Sequence, residues 1–383
     1  MALPCRHVTL LRMRIAIVGG GIGGLTVALA LREFGFEAEV YEQAPELLDV
    51  GAAIAVWPNA LRVLERLGLA DAIHAHAGEI NEIHWLDSHG FLINRVSIPS
   101  SAALHRADLQ STLLHALPAH LLKLDHSLVS LIQHSDKVVA KFANGHTIEA
   151  DFLIGTDGIH SDVRAQLLGD GEPLYHGYTV WRGISAATPA SIPTATAIEL
   201  HGRGKRFGIG PVGGGRIGWW AAANSTIHQH QAEHAQHQLL RLFEDWYSPA
   251  VQLIEETPPH RILTTAAFDR EPTRTWGNKR VTLLGDAIHP TTPNLGQGGC
   301  LAMEDAMVLA RCFEKYGATE EALRKYEGCR YKRTAAITKY SRYYGTIGQS
   351  TIPLKFLFAL IPEPIVQRVM RIVFDYDPTT TKV

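Results

Sequence analysis

Three widely separated stretches of this chain combine small residues with a carboxylate, the pairing that phosphate and sugar recognition needs. The first is Gly19-x-Gly21-x-x-Gly24 with Glu42. In such a loop the first glycine makes a tight turn. The second lets backbone reach a pyrophosphate, and the third lets the helix pack onto its strand. The helix N-terminus then offers free N–H groups and partial positive charge to the phosphates. Glu42 stands where a carboxylate takes a ribose hydroxyl, about 20 residues further on. The second stretch is Asp157-Gly158, and the third is Gly285-Asp286 followed by Pro293 and Gly296-Gln297-Gly298-Gly299. Each puts an acid where an open α/β sheet binds its ligands, at the carboxyl end of an apolar strand. Asp157 has a second reading, as a cap for the turn that follows it. The glycines at 296–299 open a helix and make a second anion-friendly N-terminus. Their alternative is a glycine-rich connection that serves packing.

These loops need elements to hold them. Residues 15–18 read as a short buried strand, followed by an Ala/Leu-rich helix and a second strand at 37–42. Residues 151–155 and 278–284 read as further buried parallel strands, so the fold class is α/β with a Rossmann-type parallel sheet. Residues 79–96 read as a hairpin around Asp87-Ser88-His89-Gly90 and belong to a second unit. Asn144-Gly145 between two strand runs signals a type I′ hairpin. Residues 178–265 hold four of the seven tryptophans and alternate apolar positions, as an antiparallel sheet does. This region also contains Gly208-x-Gly210-x-x-Gly213. A strand follows it rather than a helix, and Pro211 removes a donor, so it reads as a β turn. The chain ends in helices.

Four single features carry expectations of their own. Arg106 enters a helix from a loop, placed to bond a cofactor phosphate or ribose, or to pair with Asp108. Trp57 reads as core. His228, His230, His234 and His237 could share a helix face, but their Gln- and Ala-rich surroundings suit a solvated helix and no metal. Residues 1–12 read as a loose extension before the strand.

Composition narrows the class. With 383 residues, 46% hydrophobic and 19% charged, the chain suits an ordinary soluble enzyme. A formal net charge of −2 suggests no nucleic-acid partner. No apolar run reaches membrane-spanning length. Residues 354–361 could lie on a membrane but are short and followed by prolines. Four scattered cysteines without C-x-x-C spacing suit a reducing, cytoplasmic location.

Taken in order, the three motifs resemble the single-component FAD-dependent aromatic hydroxylases typified by para-hydroxybenzoate hydroxylase. Gly51-Ala-Ala-Ile-Ala-Val-Trp-Pro-Asn59 and Pro293-Asn-Leu-Gly-Gln-Gly-Gly-Cys-Leu-Ala-Met-Glu-Asp305 are closest to salicylate and urate hydroxylase-like and zeaxanthin epoxidase-like members. The resemblance implies a discontinuous FAD-binding domain over 13–78, 102–176 and 268–345. It places an antiparallel β-sheet substrate domain at 79–101 and 177–267, and a C-terminal helical segment at 346–383. It implies that Gly19, Gly21 and Gly24 hold the FAD pyrophosphate and Glu42 the adenosine ribose. Arg106 would contact the cofactor, Asp157 and Gly158 would serve FAD and nicotinamide nucleotide, and Asp286 would meet the ribityl chain. Pro293 and the 296–299 turn, Gln297 included, would line the flavin ring. NADH or NADPH visits as a transient cosubstrate, and O2 adds to give a C4a-hydroperoxyflavin that hydroxylates a small aromatic or heteroaromatic molecule. Alternatives are an epoxidase, a polyketide- or antibiotic-modifying monooxygenase, or a flavin-binding redox protein. Arg206 resembles an arginine that faces flavin and substrate in urate hydroxylase-like members; otherwise it is a surface strand arginine. Asn294 stands where the urate-type members carry an acid, which speaks against urate itself.

Overall fold

Short, buried, mostly apolar runs build the centre of the first sheet, because a strand covered on both faces cannot alternate, while the outer strands Ala38–Tyr41 and Leu122–Lys123 admit Glu39 and Lys123. A computed structural model describes residues 13–47, 51–186, 189, 191–226, 234–352 and 363–383. Expectations for residues 1–12, for 354–361, and for His228 and His230 fall outside them. Strand Ile15–Val18 is buried throughout and pairs in parallel with Ala38–Tyr41 on one side and Phe152–Gly155 on the other. Val281–Leu283 extends the parallel set beyond Phe152–Gly155, and Leu122–Lys123 extends it beyond Ala38–Tyr41. All three motifs therefore leave neighbouring strands of one sheet at the same edge. Helix Ile22–Glu33 packs along helix Gly298–Tyr316. A Cβ at Gly23 would lie 3.1 Å from Leu284 and 3.3 Å from Ala302, so the first and third motifs are in direct contact.

The hairpin signal at Asn144-Gly145 is realised between strands Val138–Phe142 and Thr147–Ala150, with a different turn. Gly145 has φ +86°, while Asn144 keeps negative φ. The Gly145 N–H donates to Phe142 O at 3.0 Å and the Phe142 N–H to His146 O at 2.9 Å. That is a type I turn closed by a left-handed glycine, a three-residue loop in place of the expected I′ turn. The Asn144 side chain explains the difference. It accepts from His146 N and donates to Asp125 O, contacts that hold it in the ordinary φ region.

The second sheet has eight strands. In order they are Leu263–Asp269, Leu174–Ser185, Ile217–Asn224, Lys205–Pro211, Thr196–His201, Gly78–Asp87, Leu92–His105 and Ala53–Val56. Ala53–Val56 and residues 102–105 thus hydrogen-bond into this sheet, although the sequence division placed them with the nucleotide-binding part. Small residues make this possible: a Cβ at Gly218 would lie 2.5 Å from that of Ala53. Gly208 to Pro211 lie inside strand Lys205–Pro211 rather than in the expected β turn, and only Gly213 lies in the turn that follows, because the alternating apolar residues Phe207 and Ile209 pair the segment between two neighbouring strands. The outer face packs Trp181, Phe207 and Trp219 with Leu239, Phe243 and Leu253 from two helices, Ala235–Phe243 and Ser248–Glu256.

Helix Glu320–Gly348 is one of the helices expected at the end of the chain. Thr319 caps it by accepting from the Ala322 N–H, with Glu320 and Glu321 in the first turn. The C-terminal residues run back over the cofactor half. Arg311 donates to Pro378 O and Thr381 O, and Arg62 to Phe374 O and Tyr376 O. The Tyr376 ring lies 5.0 Å from the Arg330 guanidinium and 4.4 Å from that of Arg333. Deleting 375–383 should cost about 2–4 kcal/mol, the sum of a few charge-assisted bonds and two cation–π contacts. Urea unfolding of the full and shortened chains measures it, and equal midpoints would show that the tail is ornamental.

Candidate active site

The glycine turn is shaped by contact. Gly19 sits at φ +109°, and a Cβ there would lie 2.6 Å from Thr156 O. A Cβ at Gly24 would lie 1.9 Å from Gly19 O. Gly21 differs, because a Cβ there would meet nothing within 4 Å. Helix Ile22–Glu33 has no side-chain cap and no acid in its first turn, so its free N–H groups face that open space. Glu42 stands beside it, accepting from the N–H groups of Gly20 at 2.5 Å and Ala44 at 2.9 Å. A carboxylate has about four lone-pair sites, so capacity remains for a hydroxyl.

The third motif closes on the same space. Asp286 follows strand Val281–Leu283 in the short turn Gly285–Ala287. Its side chain keeps contact with solvent although protein surrounds it, as a group lining a deep recess does. Burial pushes its carboxyl above the usual range, while His289 and Arg106 pull it down. Arg106 therefore lies within electrostatic reach of Asp286. The Asp108 alternative is not realised: Asp108 accepts from Arg216 at 3.2 Å. Gln110, one turn on, donates to Gly20 O at 3.2 Å and ties the Arg106 helix to the glycine turn.

Helix Gly298–Tyr316 again lacks a side-chain cap and a first-turn acid. A Cβ at Gly298 would lie 3.7 Å from Asp286 Oδ1. Pro293–Leu295 forms a tight turn before Gly296, whose carbonyl accepts from Trp57 Nε1 at 3.1 Å. Trp57 is buried, as expected. Gln297 is fully buried; its Oε1 accepts from Asn59 Nδ2 at 2.9 Å, and its Nε2 has no partner among the described residues. Two uncapped helix N-termini, an acid beside each and a buried amide with a spare donor suit an elongated dinucleotide ending in a hydrogen-bonding ring.

Asp157 takes the capping role. Its carboxylate accepts from Ser161 Oγ at 2.6 Å and Val163 N at 3.0 Å, at the start of helix Asp162–Leu168. Burial pushes its pKa up, with these bonds opposing. Gly158 turns the chain at φ +82°. Arg164 of that helix donates to Ala287 O at 3.2 Å and Ile288 O at 2.7 Å, fastening the second motif to the third.

Arg206 is not a surface residue; it is 1% exposed. It donates to Glu199 at 3.0 Å, to Gln349 at 3.4 Å and to the side-chain oxygen of Asn294. The Trp220 and Tyr344 rings lie 5.3 and 5.6 Å from its guanidinium. Asn294 also donates to Tyr178 Oη at 3.0 Å. The sheet face thus meets the 293–299 turn through Arg206 and Asn294. A cavity of about 410 Å³ adjoins them, with Tyr178, Asn294, Arg342 and Gln349 among its walls.

Sequence reasoning missed the support behind Asp286. Glu304, Asp305 and Arg330 are fully buried. Arg330 bonds Asp305 at 2.6 Å and Glu304 at 2.5 Å, and Arg333 bonds Glu304 at 2.6 Å. Asp305 also accepts from Gly285 N at 3.1 Å and pairs with His289 Nε2 at 2.5 Å. It holds the loop that presents Asp286. The available signal was two adjacent acids inside an otherwise apolar helix.

Among the described residues no cluster of metal ligands occurs, and no helix is long and apolar enough to cross a membrane. The family described as an FAD binding domain matches residues 12–341. Aurachin C monooxygenase/isomerase of Stigmatella aurantiaca is 38% identical over 345 residues, covering 88% of this chain and 90% of that protein. Zeaxanthin epoxidase of Solanum lycopersicum is 32% identical over 392 residues; the match covers 92% of this chain and 58% of that protein. Klebsiella pneumoniae HpxO, solved with FAD and uric acid, superposes with TM-score 0.89 at 29% identity, covering 94% of this chain and 96% of that one.

Proposed function

Because the chain belongs to the FAD binding domain family, we propose that it is an NAD(P)H-dependent flavoprotein monooxygenase that hydroxylates a small aromatic or heteroaromatic molecule. The observation that carries this reading is the side-by-side packing of two helices with uncapped N-termini, with Glu42 beside the first and Asp286 beside the second. Bound FAD supplies reduction by NADH or NADPH and activation of O2 for insertion of one oxygen atom.

The chain's own residues supply placement. Gly19, Gly21 and Gly24 bring the first helix N-terminus to the pyrophosphate, and Glu42 takes the ribose. Arg106 and Asp286 face the middle of the cofactor. Gly298 and Gly299 offer backbone N–H groups to the ring system, where they stabilise negative charge, and the spare Gln297 Nε2 donor points to the same task. The Gly296 N–H instead closes the turn on Pro293 O. Pro293 sets the turn. Asp157 and Gly158 build the neighbouring loop. Arg206, neutralised by Glu199, orients Asn294 and the substrate beneath the sheet, which excludes water.

The decisive experiment purifies the protein and measures bound FAD. It then follows NADH and NADPH oxidation on a panel of aromatic acids, purines and phenols, with product mass recorded. A yellow protein that adds one oxygen to a panel member supports the reading; a colourless protein that takes up no FAD sinks it. Arg206→Gln should lower kcat/KM by about 100-fold, the scale of removing one charge-assisted hydrogen bond at the reacting centre. FAD content should stay unchanged, and Arg206→Lys should restore part of the rate. A second reading, epoxidation, is favoured by the zeaxanthin epoxidase likeness; the same panel extended with alkenes tests it.

A further inference from the structure

The face of the eight-stranded sheet that looks toward the 293–299 turn carries two arginines, and among the described residues only one has a carboxylate partner. Register defines the face. Arg182 pairs with Trp220, Trp220 with Gly208, and Gly208 with Glu199, so these four share one side. Arg206 lies two residues from Gly208 and shares it too. Arg206 reaches Asn294 of the turn, which identifies the side. Between the arginines Trp220 lies flat on the sheet: a Cβ at Gly208 would fall 1.9 Å from its Nε1. The result is an indole floor flanked by two guanidinium groups.

Arg206 has Glu199 at 3.0 Å. Arg182 donates from Nη1 to Thr265 Oγ1 at 2.8 Å, and among the described residues no carboxylate comes within 4.0 Å of it. The most deeply buried arginines have acids: Arg164 and Arg270 have Asp170, Arg330 and Arg333 have Glu304, and Arg342 has Asp269. Arg62 and Arg311, half-buried like Arg182, each bond two backbone carbonyls instead, whereas Arg182 has, among the described residues, one hydroxyl. Arg182 is surrounded by protein while its surface remains partly open, and desolvation draws its pKa down, with only the Tyr178 phenol opposing. A charge held this way costs desolvation and returns nothing to folding. Its return comes when a ligand brings the opposite charge. With Arg206 and Glu199 cancelling, the wall carries, among the described residues, one positive charge without a carboxylate partner.

We propose that Arg182 is a specificity residue of the substrate pocket, pairing with the single negative charge of a planar aromatic monoanion that lies along Trp220. The charge is a carboxylate or an ionised ring oxygen. The proposal rests on the monooxygenase reading above, and it names a residue that selects charge apart from the one that meets Asn294.

The test titrates the FAD-loaded protein with benzoate, 1-naphthoate and quinoline-2-carboxylate, each beside its neutral amide, and follows the flavin absorption difference spectrum. At least one acid should bind about tenfold or more tightly than its amide. Arg182→Gln should weaken that acid by about 10- to 100-fold and leave its amide within about threefold, and Arg182→Lys should keep part of the preference. FAD content and melting temperature should match the parent, which separates a charge effect from a folding one. Equal affinity for every acid and its amide overturns the proposal. So does a silent spectrum with all three acids at about 10 mM, or a Gln variant that weakens acid and amide alike. Failure to take up FAD at all overturns the monooxygenase reading and this inference with it.

Discussion

Replacing Arg330 by methionine should destabilise the protein by about 3–5 kcal/mol, the usual cost of leaving buried partners of a removed charge unpaired. Against a typical total of about 5–15 kcal/mol this is a large fraction. The reason is geometric. Arg330 is fully buried and bonds both Glu304 and Asp305, which are fully buried themselves. Arg333 can still serve Glu304, but Asp305 would keep only His289 and the Gly285 N–H. Arg333→Met should therefore cost clearly less, since Arg330 still neutralises Glu304. The effect reaches function as well, because Asp305 holds the loop that carries Asp286, so Arg330→Met should also lose FAD affinity. Chemical unfolding with and without FAD measures both. Equal losses for the Arg330 and Arg333 variants would contradict the argument.

Acid should act on the same network. Burial raises the Asp305 carboxyl, but His289 and Arg330 outweigh it and hold the folded pKa below the ordinary value. The contribution of Asp305 is therefore complete above the unfolded carboxylate pKa and lost as pH falls through the depressed folded one.

Two glycines of one motif should fail in different ways. Gly24→Ala should cost about 3 kcal/mol or more, because the new methyl would fall 1.9 Å from Gly19 O and 2.8 Å from Thr156 Oγ1. Both neighbours are fixed, one as backbone and the other by its bonds to Val18 O and Gly19 O. Gly21→Ala should leave stability without FAD nearly unchanged, since its Cβ meets nothing and its φ of −72° suits alanine. It should weaken FAD by about tenfold or more by filling the space above the helix N-terminus. Melting temperatures of the apo-proteins, set beside FAD titrations, separate the two effects. A Gly21 variant that binds FAD normally would remove that glycine from the site.

Much of the cofactor half could be read from local chemistry. The first strand, glycine turn, helix and second strand follow one another in the chain, so their spacing alone defines a βαβ unit. Asp286 was legible for the same reason, as an acid at the end of a buried strand. Asp157 was legible as a position but not in its role. Its capping partners Ser161 and Val163 are near in sequence, yet only the fold shows both carboxylate oxygens turned to them. The turn at Asn144-Gly145 was misread because a contact from Asp125, distant in sequence, selects its conformation.

What the chain determined by itself is whatever depends on neighbours along it: the glycine turn, the buried parallel strands, the two uncapped helix starts and the acids beside them. Tertiary structure alone decided which arginines are neutralised. Arg206 finds Glu199 and Asn294, Arg330 finds Glu304 and Asp305, and Arg182 finds no acid among the described residues. Charge pairing acts over a few ångströms between strands and helices that meet only when the sheets close. No spacing rule along the sequence carries that distance.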